Sequence, residues 1–357
     1  MMIIDAHLDL SMNAMEWNRD LKLTVAELRE REAGMQDKPD RSRNMVSLPA
    51  LRAGGIGLVV ATQIARYVAK GNPLPGWNSP EQAWAQTQAQ LAWYQCMTEA
   101  GEMSPVTNLA SLETQIALWE NDSAREIQKP VGYILSLEGA DSLMKISYLE
   151  KAYGYGLRAL GPAHYGPGRY AGGTGTTYGF SEAGKSLLKE MDALHMILDV
   201  THLTDRGFRE AMEIYSGPVW ASHHNCRQLV SHQRQLTDDQ IRILIERGAV
   251  IGGVMDAWML AESWQRGVSS PREMGVGLNR LIDHYDHICQ LAGNADHIAI
   301  GSDLDGAYGT EQAPYDLDTI ADLQKLPRLL SLRGYSSDHI NQILQGNWLR
   351  FIRQAWG

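Results

Sequence analysis

The stretch His195–Asn225, HMILDVTHLTDRGFREAMEIYSGPVWASHHN, decides the fold. Two short apolar runs, HMILDVTH and GPVWASHH, flank a helix-sized segment. Each run ends in histidine: His202 in the first, His223 with His224 in the second. A strand, a crossover helix and a second parallel strand produce that pattern. Polar side chains at the carboxyl ends of parallel strands face a common cleft, so these histidines are the first candidates for chemistry.

Working outward, the same alternation recurs along the chain. Strands are expected at Ile3–Leu10, Ile56–Ile64, Val131–Leu137, Leu157–Leu160, within the two runs above, at Ala249–Met255 and at His297–Gly301. Between them, helices are expected at Leu21–Gly34, Pro80–Glu99, Leu109–Gln128, Ser142–Gly154, Ser181–Leu194 and Asp238–Arg247, the last with Thr237 as N-cap, and in a region from Ser270 to Gln290. Two or three further helices between Leu317 and Ile352 can close the outside. Eight strands separated mostly by helices predict an α/β fold, a (β/α)8 TIM barrel with extra C-terminal helices, as one domain over residues 1–357. A doubly wound open sheet competes, but neither G-x-G-x-x-G after the first strand nor G-x-x-x-x-G-K-[ST] occurs. Gly161–Phe180 holds seven glycines in 20 residues and is expected to be a long surface loop covering a site.

Composition bounds the function. The 357 residues are 44% apolar and 21% charged, an ordinary globular balance. Lys plus Arg number 32 against 42 acids, for a net charge of -10, and no basic block stands out, which argues against nucleic acid or an anionic membrane as partner. Cys96, Cys226 and Cys289 are isolated, without a C-x-x-C pair, as expected of reduced thiols. The N-terminal MMIIDAHLDLS has no basic region and reads as a buried strand rather than a signal peptide, and no run approaches a membrane-spanning length. The default location is the cytoplasm.

Polar residues at the expected strand ends are His7, Asp9, Glu138, His164 just past the fourth strand, His202, His223 and Asp303. Their separation of two places His7 and Asp9 on one strand face. Oxygen and imidazole ligands suit zinc, manganese, cobalt or iron, and sulfur plays no part. A carboxylate such as Glu138 can bridge two ions, with His7 and Asp9 on one and His202 and His223 on the other. Each residue has a plainer structural account. His7 and Asp9 could be a hydrogen-bonded pair, Glu138 a helix-initiating acid, His202 a satisfied core histidine, and Asp305-Gly306 a turn. Strand alternation lets only one of His223 and His224 face inward, and His223 sits nearer the strand body. Joint placement on five strand ends favours metal. Two divalent ions, zinc first, imply hydrolysis, since bound cations acidify water and polarise a carbonyl or phosphoryl oxygen. Asp303 is placed as general base and then acid, His164 as an oxyanion donor, and Arg234 as a clamp for a substrate carboxylate.

DAHLDL from Asp5, SLEGADSL from Ser136, LDVTHLT from Leu198, WASHHN from Trp220 and GSDLDG from Gly301 together resemble the membrane dipeptidase (renal dipeptidase) family, the M19 metallopeptidases, in order over nearly the whole chain. The resemblance implies an amidohydrolase-like barrel with two zinc ions that hydrolyses dipeptides, often tolerating a C-terminal D residue. It matches His7 and Asp9 to first-strand ligands, Glu138 to the bridge, and His202 and His223 to the remaining ligands. It matches His164 to the histidine that contacts the scissile peptide, Arg234 to the arginine on the substrate carboxylate, and Asp303 to proton transfer. Two departures bear on the substrate: Met255-Asp256-Ala257-Trp258 stands where the family has Asn and aromatic residues, and the loop after His164 differs. The expected partner is a small dipeptide, and a homodimer is the expected assembly. Three alternatives stay open: a hydrolase of N-acyl amino acids, amides or lactones, a metal-free binding module, and a sugar isomerase, for which the strand-end lysine is missing.

Overall fold

The computed structural model describes residues 2–121 and 129–357. Among the described residues nine strands form: β1 (Ile3–Leu8), β2 (Ile56–Ile64), β3 (Met103–Pro105), β4 (Val131–Glu138), β5 (Leu157–Gly161), β6 (Ile197–Asp199), β7 (Val219–Trp220), β8 (Ile251–Gly253) and β9 (Ile298–Ile300). All eight expected strands are in place, and β3 is the one the sequence reading missed. It carries only three residues and pairs with the start of β4, Met103 opposite Val131. β5 takes the remainder of that edge, Leu135 to Glu138, while β2 runs along the other edge.

The expected closed eight-stranded barrel does not form. The ladder runs β1-β2-β4-β5-β6-β7, all parallel, as a curled and open sheet with β3 attached to β4, while β8 and β9 pair apart as a two-stranded sheet. The curl is tight enough to bring the rings of His7, after the first strand's midpoint, and His223, beyond the last, to a centroid distance of 3.7 Å. Two features break the ladder on the remaining side. β7 to β9 are two or three residues long, and a single bridge, Ala221 to Ile251, joins β7 to β8. Between β9 and β1, the buried Asp5 carboxylate accepts from the Ser302 amide at 2.8 Å and from its hydroxyl, taking the donor a backbone ladder would use. One backbone bond, Asp303 N to His7 O at 3.2 Å, completes the contact. Glycine lets these strands pack closely: a Cβ at Gly252 or Gly301 would lie 2.0 or 1.7 Å from the Ser222 carbonyl oxygen.

Helices pack outside as their caps and apolar stripes dictate. Pro80–Glu99 begins with Pro at its first turn behind Ser79, whose hydroxyl accepts from Gln82 N. Asp238–Glu246 starts behind Thr237, which with Gln240 forms a reciprocal capping box, as the sequence predicts for that N-cap. The region from Ser270 is turns until Leu278–Ala292 begins; the helix from Leu109 ends at Glu120, and the rest of the stretch expected to be helical, 122–128, lies outside the described residues. The C-terminal helices are present, ending in Asn347–Trp356. Trp348 Nε1 donates to Ile300 O at 2.9 Å and stacks edge-on against Trp220, tying the last helix to β9 and β7. No helix among the described residues is long and apolar enough to cross a membrane.

Gly161–Phe180 is only in part the surface loop expected from its glycines: Tyr165, Pro167, Gly175, Thr177 and Tyr178 are exposed, and His164 and Tyr165 line the cavity. Tyr170 through Thr174 is buried, pinned by bridges between Tyr165 and Thr174 and between Ala171 and Phe180. Its glycines serve close packing beneath the cavity rim as much as turning.

Candidate metal centre

Parallel register decides which side chains meet. Ile64 at the end of β2 pairs with Glu138 at the end of β4, and Glu138 with Gly161 at the end of β5. Carboxyl ends thus collect on one rim, with Glu138 at its middle. His7 Nε2 lies 3.6 Å from Glu138 Oε2 and 3.8 Å from Asp9 Oδ1. On the other carboxylate oxygen, Glu138 Oε1 faces His202 Nε2 at 3.2 Å and His223 Nε2 at 3.5 Å. Asp303 Oδ1 is 3.7 Å from His7 Nε2. Among the described residues three overlapping groups are tight enough to hold an ion: His7, Asp9 and Glu138; Glu138, His164 and His202; and His7, His223 and Asp303. All sequence-predicted ligands therefore converge, with one carboxylate oxygen of Glu138 toward each pair.

The surroundings aim the imidazoles. His202 Nδ1 pairs with Thr174 Oγ1 at 3.0 Å and His223 Nδ1 with Ser222 Oγ at 2.9 Å, leaving both Nε2 atoms toward Glu138. Thr62 donates its hydroxyl to Asp9. His202 and Asp303 sit at φ of 68° and 58°, left-handed backbone that costs energy for a non-glycine residue and concentrates at functional sites. His224, beyond the end of β7, is buried and lies outside the donor groups that could hold an ion.

The donor set fits cations. His7 Nε2 and Glu138 Oε1 are fully buried without a hydrogen-bond partner, a state that costs about 1–3 kcal/mol per group unless something else satisfies it. Burial, and then the Asp9 charge, push Glu138 well above the usual carboxylate range. Burial raises Asp9 to about 6 and lowers His7 to about 3. Burial, with the Arg234 charge among its neighbours, also keeps His202 and His223 well below the usual imidazole range. Carboxylates that resist ionising beside imidazoles that hold free lone pairs are what a bound dication would reverse and use.

Around the cluster opens a cavity of about 470 Å³, within the range of small-ligand sites. Arg234 reaches it with one Nη bonded to the His223 carbonyl at 3.0 Å and the other buried without a partner. His164 and Tyr165 line one wall, Asp256 and Trp258 another. Gln312 holds Asp256 at 2.8 Å. Asp305, expected to form a turn, accepts from the amides of Met45 and Val46 at 2.8 and 2.9 Å and ties the preceding loop to the rim.

Arg66, Thr62, Thr174 and Ser222 escaped the sequence reading. For Arg66 a signal existed: it lies two residues past β2, where the rule that selected Glu138 applies equally. Thr174 had none, because only the folded loop brings it to His202.

Fold and site together define a metal-dependent hydrolase with a binuclear centre. The chain belongs to the membrane dipeptidase family (peptidase family M19), whose model matches residues 1–356. It is 30% identical over 216 residues to an uncharacterised protein of the pqqA 5′ region of Klebsiella pneumoniae, covering 58% of this chain and 76% of that one. An uncharacterised dipeptidase of Schizosaccharomyces pombe is 28% identical over 227 residues, 61% of this chain but only 52% of that protein. A metallopeptidase of Rhodobacter sphaeroides, solved with a phosphinate mimic of the dipeptide L-Ala-D-Ala, shares the fold at a TM-score of 0.78 and 21% identity, over 100% of this chain and 99% of that one.

Proposed function

We propose that the protein is a zinc-dependent dipeptidase that hydrolyses small dipeptides, including those with a C-terminal D residue. The observation that carries this reading is the Glu138 carboxylate, buried and flanked on one oxygen by His7 and on the other by His202 and His223, with the free Nη of Arg234 opening into the same cavity. A free carboxylate beside the scissile bond is what an otherwise unsatisfied buried guanidinium would take. The phosphinate mimic of L-Ala-D-Ala bound by the Rhodobacter sphaeroides enzyme supports the stereochemical part. Zinc is preferred because the donors are imidazole and carboxylate, and His7, Asp9, Glu138, His202 and His223 would hold the ions. When bound, such ions acidify water and polarise the scissile carbonyl.

This chain's own groups supply the rest. Arg234 anchors the substrate carboxylate and sets the peptide's register. Asp303, at the cavity edge, takes the proton from the attacking water and delivers it to the leaving amine. His164 donates a hydrogen bond to the carbonyl oxygen as negative charge builds there. A cavity of about 470 Å³ has room for a small dipeptide. The same reading treats residues 1–357 as one domain working in the cytoplasm, supported by three cysteines that are all free. Elemental analysis beside a panel of L-L, L-D and D-L dipeptides and N-acyl amino acids tests it. Turnover that falls with chelator and returns with zinc is expected; a metal-free protein that takes up no divalent ion would end the proposal. Sedimentation of the same sample reads whether two copies pair.

A further inference from the structure

We propose that Arg66 is a positioning residue that fixes His164 in one tautomer, with its proton on Nε2, and so commits it to donating a hydrogen bond rather than ligating metal. The inference rests on the dipeptidase reading only for what His164 donates to; the tautomer itself follows from the contact.

Arg66 lies two residues beyond β2, whose last residue pairs with Glu138, so the register delivers its guanidinium to the metal rim. One Nη sits 2.6 Å from His164 Nδ1. The other donates to the Pro75 carbonyl at 2.8 Å, in a loop closed by Val68 N to Trp77 O and Trp77 N to Arg66 O. Held at both ends, the guanidinium cannot turn away from the ring. It has five N–H donors and no acceptor, so Nδ1 at that distance must offer its lone pair. A neutral ring then carries its proton on Nε2. Both ring nitrogens are thereby committed, and neither has a lone pair to give an ion.

This resolves an ambiguity in the cluster. His164 stands with Glu138 and His202 in a group tight enough to hold a cation, and its ring meets that of His202 edge-on at 4.5 Å. Without Arg66 it would be a plausible third ligand there. With Arg66 it is a donor facing the cavity that Arg234 and Asp303 also line. The guanidinium charge further strengthens Nε2–H as a donor to a developing oxyanion.

The test begins with tautomers, which do not depend on turnover. In chelator-treated protein labelled with 15N-histidine, the His164 signals are assigned by their loss in His164→Gln. The expected pattern is Nε2–H in the wild type and a mixture of tautomers in Arg66→Met. An Nδ1–H pattern in the wild type, or one unchanged in Arg66→Met, overturns the proposal. Kinetics then follow: Arg66→Met should lower kcat on dipeptides roughly 10- to 100-fold, as for partners that orient a catalytic-site imidazole, with KM and metal content little changed. Arg66→Lys, which keeps a charged donor, should recover part of the loss. In the His164→Gln background, Arg66→Met should cost nothing more, whereas multiplying losses, or metal lost on Arg66→Met, would refute the assignment. A wild type that cleaves no dipeptide defeats the proposed function but leaves the tautomer measurement standing.

Discussion

Two buried polar clusters of the protein are built on opposite terms. In one, Arg19 donates to Glu32 at 2.8 Å, to Asp40 at 2.9 Å and to Asn13 at 2.6 Å, Arg41 adds a bond to Glu32 at 2.6 Å, and Trp17 donates to Asp40 at 2.9 Å. In the other, Glu138 sits among three imidazoles with one oxygen unpartnered. Burial pushes both glutamates up, but the bonds from Arg19 and the Ser42 amide bring Glu32 below its usual range, while the nearby Arg234 and Arg66 charges leave Glu138 well above it. A buried ion network that closes on itself holds a loop; one left open is waiting for something. Asp305 joins the two, since its carbonyl accepts from Asn13 while Asp303, two residues earlier, faces His7 in the second cluster.

Exchanging the two glutamates for glutamine should separate these roles most sharply. Glu138→Gln is expected to reduce dipeptide turnover to background and to lower bound metal, read by elemental analysis. The chelated variant should nonetheless melt no lower than the chelated wild type, because the change removes a buried charge that nothing compensates. Glu32→Gln should do the reverse: bound metal stays, but stability drops by roughly 3–5 kcal/mol in denaturant melts because Arg19 is left buried and short of a partner. A Glu138→Gln protein that keeps full metal, or a Glu32→Gln protein that melts normally, breaks the comparison.

A smaller effect is expected at Arg234. Arg234→Met removes a buried guanidinium nitrogen that has no partner within the protein. A lost hydrogen bond to a charged group is worth about 1.5–3 kcal/mol, so kcat/KM on dipeptides should fall roughly 10- to 150-fold. Uncharged amides should be spared. An equal loss on both would make Arg234 structural.

Smaller again is Thr174→Val. It leaves every proposed ligand in place but deprives His202 Nδ1 of its partner, so metal affinity should weaken by about 10- to 100-fold in competition with a chromogenic chelator. An unchanged affinity would show that the loop only covers the site and does not aim it.

How far the sequence alone reaches follows from the same contrast. His7, Asp9, Glu138, His202 and His223 were legible because a period of two and a strand's end are local facts. Closure of the sheet was not. It turns on Asp5 taking the Ser302 amide and on strands of two or three residues, and neither a long-range hydrogen bond nor a strand that short leaves a periodic trace. Thr174 and Arg66 were hidden for the same reason, as was the Arg19 network, whose members are spread from Asn13 to Asp305 and read one by one as solvated polar residues. The glycine-rich loop was legible as a surface loop only in part, since the buried run Tyr170–Thr174 shows that glycine marks close packing as readily as exposure.

The mildest test concerns a histidine that belongs to neither cluster. His284 is buried on the helix Leu278–Ala292 and its Nδ1 accepts from the Cys226 amide at 3.0 Å. Burial, with the His287 and Arg280 charges, lowers it from 6.5 to about 3. The fold therefore holds it neutral, and the unfolded chain takes up the proton first. Its stabilising contribution is present in full above pH 6.5 and is lost as the pH falls from there toward about 3. His284→Gln, which can still accept from Cys226, should flatten the fall in melting temperature between those limits while leaving stability at higher pH and metal content nearly unchanged. A pH profile identical to that of the wild type would mean that the acid sensitivity resides in the metal cluster, and that a satisfied histidine away from the rim contributes nothing to it.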